Sequence, residues 1–117
     1  MQRGVKIVGG NLKRSRINII NKEGLRPTPN RVRETIFNWL MPTMPRATII
    51  DCFAGSGILG LEALSRGAYR CTFIEKEQVL ADSIQANINR FQLQARSKVI
   101  VKGVFDCDFK LFESASI

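Results

Sequence analysis

The chain of 117 residues contains no histidine, and its three cysteines (Cys52, Cys71 and Cys107) form no C-x-x-C pair. These deficits argue against a zinc site and a disulfide framework, and point to reduced thiols in a cytoplasmic protein. No apolar run approaches the roughly 18 residues of a membrane span, and Met1-Gln2-Arg3-Gly4 opens no signal peptide. Internal repeats and low-complexity segments are missing as well. Only four prolines occur, and none follows Pro45. What remains is an ordinary globular composition, 44% hydrophobic and 24% charged, which suits a core of modest size.

Charge is the first positive signal. The net charge of +8 resides in residues 1–46, where ten Lys and Arg face only Glu23 and Glu34; the remainder is neutral. A basic arm on a neutral body suits a phosphate-bearing partner, because each neutralised phosphate releases counterions. The alternative is a solvated basic face without a partner.

Val5-Lys6-Ile7-Val8 alternates, breaks at Gly9-Gly10 and resumes near Arg16–Ile20, which predicts a small β-ribbon. Residues 21–29 are turn-rich. Thr28 before Pro29 suits a helix start, with Asn30 an alternative cap. Val32, Ile36, Phe37 and Leu40 then follow at helical spacing, with Arg31, Arg33 and Glu34 expected on the opposite face. Met41-Pro42 ends that helix and Pro45 marks a linker.

From Ala47 strand and helix alternate. The expected strands are 47–53, 70–75 and 98–102. The expected helices carry Ile58, Leu61 and Leu64, then Leu80, Ile84, Ile88 and Phe91. This β-α-β-α-β order predicts an α/β fold with a parallel sheet and right-handed crossovers. The expected division is a basic extension over 1–46 (ribbon plus helix, serving as an RNA or cofactor lid) and an incomplete Rossmann-like domain over 47–117. Gly103–Ile117 carries little pattern, so the first strand is expected on an open edge and the chain reads as truncated.

Gly55, Gly57 and Gly60 form G-x-G-x-x-G between the first of these strands and its helix, where main-chain N–H groups can meet a ligand. Glu75, at the end of the next strand, can accept both hydroxyls of an adenosine ribose. Asp51 precedes the glycines. A carboxylate there would repel a pyrophosphate and suits a ligand bearing positive charge, such as S-adenosylmethionine; the plainer reading is a cap or turn residue.

The segment Asp51-Cys52-Phe53-Ala54-Gly55-Ser56-Gly57-Ile58-Leu59-Gly60-Leu61-Glu62-Ala63-Leu64-Ser65-Arg66-Gly67 resembles the cofactor motif of the RsmD family of class I methyltransferases. Gly24–Leu40 and Val5–Gly10 resemble two further signatures of that family. The resemblance implies a Rossmann-like class I methyltransferase fold, S-adenosylmethionine as methyl donor, and the exocyclic N2 of a guanine in small-subunit (16S) ribosomal RNA as target. It places Asp51, Phe53, Ala54, Gly55, Ser56, Gly57 and Gly60 at the cofactor, with Glu75 on the ribose and Lys76 near the adenine. Arg26 and Thr28 would close over the donor. RNA, or the assembling small subunit, would meet Arg3, Lys6, Lys13, Arg14, Arg16, Arg31 and Arg33, although Arg31 and Arg33 suit solvent equally well.

The departures from the pattern are specific. The family's catalytic Asp/Asn-Pro-Pro-Phe/Tyr turn has no counterpart among these residues, so no catalytic residue is assigned and inactivity in isolation is expected. Gly103-Val104 stands where Gly-Asp is usual, with Asp106 and Asp108 displaced, and Ser15 stands where glycine is usual. Two alternative functions stay open: a non-catalytic RNA-binding remnant, and an NAD-dependent oxidoreductase. No metal and no membrane association are expected.

Overall fold

A computed structural model describes residues 2–20, 28–108 and 110–117, without the side chains of residues 2, 3, 20 and 111. Two antiparallel strands, β1 (Gln2–Lys6) and β2 (Arg16–Ile20), form the ribbon, with Lys6 opposite Arg16 and Gly4 opposite Asn18. Ribbon formation follows the expected alternation, but β1 lies earlier than Val5–Val8. The reason is tertiary: the Val8 and Gly9 N–H groups donate to the Glu62 carboxylate, both at 2.9 Å, and leave the ladder.

Helix α1 (Asn30–Leu40) has Pro29 as its N-cap residue and no side-chain cap, so Thr28 does not serve as the expected cap. The expected faces of α1 are also corrected. Arg33 and Phe37 point inward and are buried, whereas Val32 is 45% exposed. Helical spacing alone placed Arg33 outside; a buried carboxylate pulls it inside.

The main sheet contains β3 (Thr48–Asp51), β4 (Arg70–Ile74) and β5 (Ser97–Ile100), parallel and in the order β3-β4-β5. Helix α2 (Ile58–Ser65) links the first two strands and α3 (Gln78–Arg90) the last two. Each element falls where the periodicity predicts, with strands one to three residues shorter than expected. The third glycine of the motif has a packing reason. A Cβ on Gly60 would lie 2.3 Å from the Phe73 ring and 2.7 Å from the Cys71 sulfur, so only glycine lets α2 settle on β4.

One apolar cluster joins both parts of the chain. Ile7, Ile17 and Ile19 of the ribbon pack with Phe37, Met44, Leu61, Leu64, Phe73, Ile84 and Ile88. The tail also contains order that its sequence does not announce: a 3-10 turn at Val104–Asp106 and a short helix α4 (Lys110–Glu113). The predicted open edge of β3 is partly paired, since Ser116 N–H donates to the Thr48 carbonyl at 2.7 Å and Ile50 N–H donates to the Ile117 carbonyl at 2.8 Å. Among the described residues no helix is long and apolar enough to cross a membrane.

Candidate functional site

The carboxyl ends of β3 and β4 hold the candidate site. After Asp51 the chain leaves β3 and turns, and the Ala54 N–H donates across to the Ile74 carbonyl at 3.1 Å. Gly57 then opens α2 at φ 80°, a left-handed conformation, with the Ile84 side chain 2.9 Å from where a Cβ would stand. Backbone conformation and space both demand glycine there. The Ser56 hydroxyl accepts the Ile58 N–H at 3.3 Å, holding the first helical turn.

Glu75 is buried, and both carboxylate oxygens are held by main chain. One accepts from Gly55 N–H and the other from Glu77 N–H, each at 2.8 Å. A carboxylate offers about four lone-pair positions, so one on each oxygen stays free for a ligand. These hydrogen bonds fix the direction of the group before any ligand arrives. Glu75 lines a cavity of about 190 Å³ with Cys52, Phe53, Lys76, Lys102 and Phe105. Phe53 and Phe105 are 75% and 93% exposed there, so the rim presents two aromatic rings to solvent.

Asp51 is held differently. Among the described residues its Oδ2 is buried without a hydrogen-bond partner, on the wall of a second cavity of about 190 Å³ lined by Phe37, Leu40, Ile49 and Leu59. Burial pushes its carboxyl up to about 6; the nearby Glu75 charge adds to this and the Gly60 N–H opposes it. An orphaned, desolvated carboxylate gains most from a cationic donor. Burial also raises the Cys52 and Cys71 thiols above the ordinary range, which makes either a poor nucleophile.

The expected cofactor residues thus divide: Phe53, Glu75 and Lys76 line one cavity, Asp51 and Gly60 the other, and Ala54, Gly55, Ser56 and Gly57 form the turn between β3 and α2. Arg26 lies outside the described residues. Thr28 is held beside Arg33, its carbonyl accepting from Arg33 Nη1 at 2.9 Å.

The expected RNA-facing residues divide. Lys6, Lys13, Arg14, Arg16 and Arg31 are exposed, and the Arg3 side chain lies outside the described set. Arg33 is corrected: it is 0% exposed and donates to the carbonyls of Lys6 and Thr28 and to the Asn30 side chain, with Glu62 at 3.5 Å. It meets neither RNA nor solvent. Burial holds its pKa below the ordinary value, with the Glu62 carboxylate opposing that shift and the Arg66 charge adding to it.

Sequence reasoning missed Glu62, which accepts from Val8, Gly9 and Arg66 Nε, each at 2.9 Å. Its signal was available: it is the only charged residue in Ile58–Ser65. Cys52, Lys102 and Phe105 reach the Glu75 cavity through turns that no periodicity marks.

The family described as conserved hypothetical protein 95 matches residues 5–111. Ribosomal RNA small subunit methyltransferase D of Haemophilus influenzae is 40% identical over 97 residues, covering 83% of this chain and 50% of that protein. The namesake protein of Escherichia coli is 46% identical over 84 residues, covering 72% of this chain and 42% of its own length. Among solved structures, the candidate methyltransferase yhhF of Escherichia coli superposes with a TM-score of 0.77 at 35% identity, covering 87% of this chain and 54% of that one. The chain thus spans about half the length of the curated relatives it matches.

Proposed function

Because the chain belongs to the conserved hypothetical protein 95 family, the RsmD family of methyltransferases, we propose that these residues are the methyl-donor half of an RNA (guanine-N2) methyltransferase. The observation that carries the reading is Glu75, pre-aimed by Gly55 and Glu77 at the rim of a cavity past the end of β4, with the orphaned Asp51 oxygen at the end of the neighbouring strand β3.

The residues fit S-adenosylmethionine, which when bound supplies an electrophilic methyl group on a sulfonium centre. Glu75 accepts the ribose hydroxyls with its two free lone pairs. Asp51 accepts from the ammonium and offsets the positive charge of the ligand, while the turn at Ala54–Gly57 presents main chain to its methionine end. Phe53 and Lys76 border the adenine. Positioning is the whole contribution of these groups, since none is a base or nucleophile for the transfer. The turn that would hold the target amine has no counterpart in this sequence, so we expect no methyl transfer by residues 1–117 alone. The basic extension over residues 1–46, exposed at Lys6, Lys13, Arg14, Arg16 and Arg31, docks on small-subunit ribosomal RNA in the cytoplasm.

Calorimetric titration with S-adenosylhomocysteine tests the reading, with NAD as the competing ligand. Saturable binding of the first and none of the second is the expected result. NAD binding without S-adenosylhomocysteine binding refutes it.

A further inference from the structure

We propose that the RNA-docking surface continues beyond the basic extension onto α3, and that Arg90, together with Lys6 and Arg16, binds the phosphate backbone of the RNA. The inference rests on the RNA reading above but adds a residue and an element that the extension does not contain.

Three observations converge on this seam. Lys6 and Arg16 stand directly opposite each other in the antiparallel ribbon, so both side chains leave the same face. Like charges in that relation destabilise a sheet. The Arg16 side chain then runs across Gly4, where a Cβ would stand 3.3 Å from its Nη1. Finally, α3 brings a third cation to the pair: Arg90 Nη2 donates to the Arg16 carbonyl. All three residues are exposed.

Among the described residues, acids are sparse around them. Residues 1–22 contain no Asp or Glu, and among the described residues no carboxylate pairs with Lys6, Arg16 or Arg90. The acid on the facing part of α3 is Asp82, two turns earlier, where it accepts from the Gln78 amide. Three exposed cations along one seam repel one another, and a polyanion laid over them would relieve that repulsion.

The surroundings suit a nucleic-acid strand in particular. Beside Arg90, a groove of about 340 Å³ between β2 and α3 is lined by the polar side chains of Asn18, Ser83 and Asn87, with Val79 and Ala86 between them and the Asp82 carboxylate in the same lining. Asn87 Nδ2 donates to the Asn18 carbonyl at 3.2 Å, which pins helix to ribbon and keeps the three cations in register. Arg90 itself lies over the Phe91 ring at 4.5 Å, which limits its freedom. A guanidinium held in this way loses less entropy on meeting a phosphate.

The test is fluorescence anisotropy of the full chain with a fluorescein-labelled RNA hairpin, read across a potassium chloride series. Arg90→Gln is expected to weaken binding several-fold and to flatten the log–log salt slope by about 0.7–0.9, the value of one phosphate contact. Arg90→Lys retains the charge and is expected to retain most of the slope. Lys98→Gln, an exposed cation on β5, is expected to leave affinity unchanged. Equal losses in Arg90→Gln and Arg90→Lys assign Arg90 a structural role and overturn the proposal. So does an unchanged slope in Arg90→Gln alongside a reduced slope in the Lys6→Gln/Arg16→Gln double variant. A wild-type chain with no salt-dependent RNA binding refutes the RNA reading itself. If it instead binds phosphatidylserine vesicles through Arg90, the surface belongs to a membrane.

Discussion

Asp51 gives the candidate site a pH dependence that follows from its burial. Its carboxyl titrates at about 6 instead of 3.8. If the ionised form receives the ligand ammonium, the competent fraction is about nine-tenths at pH 7 and about one-tenth at pH 5. Apparent affinity scales with that fraction, so S-adenosylhomocysteine should bind about tenfold more weakly at pH 5 than at pH 7, or about 1.4 kcal/mol. Calorimetry at four pH values reads this directly, and proton release near pH 6 appears in buffers of different ionisation enthalpy.

The ligand-free chain should respond with the opposite sign. A carboxyl whose pKa rises on folding stabilises the fold below its unfolded value, and that contribution is lost as pH climbs through the folded value. Stability therefore falls between about pH 4 and pH 6, by up to about 3 kcal/mol for this shift. Asp51→Asn should abolish both trends together, with weaker binding that no longer varies with pH. Equal affinity of the wild-type chain at pH 5 and pH 7 would refute the assignment of Asp51 to the ligand ammonium.

Glu62→Ala leaves Arg33 buried without its counter-charge, and denaturant melts should show a loss of about 3–5 kcal/mol. Gly60→Ala drives a methyl into Phe73, for which about 1–3 kcal/mol of destabilisation is expected in the same assay. Glu75→Gln replaces an acceptor with an amide that cannot satisfy both Gly55 and Glu77 N–H. S-adenosylhomocysteine affinity should fall at least tenfold in calorimetry, because a buried donor loses its partner and the ribose loses an acceptor. A variant that binds like wild type would exclude Glu75 from the ribose site.

Much of the molecule was legible before any coordinates. The alternation at Arg16–Ile20, the stripe Leu80-Ile84-Ile88 and the glycines between strand and helix each follow from the local period of a strand, a helix or a turn. These periods placed β2, α2 and α3 correctly, and put Glu75 just past the end of β4. The tail was not legible: Ser116 and Ile117 pair with Thr48 and Ile50 through main chain, which no side-chain pattern reports.

The sequence by itself determined the order of strands and helices, the glycine turn, and the acid at each of two strand ends. Those features depend on neighbours within a few residues. Only the tertiary structure decided that Arg33 is buried, that Val8 and Gly9 leave the ribbon for a carboxylate 54 and 53 residues away, and that Arg90 of α3 donates to the Arg16 carbonyl of the ribbon. Charge prefers solvent until a partner of opposite sign is already buried, and that partner is supplied by a distant part of the chain.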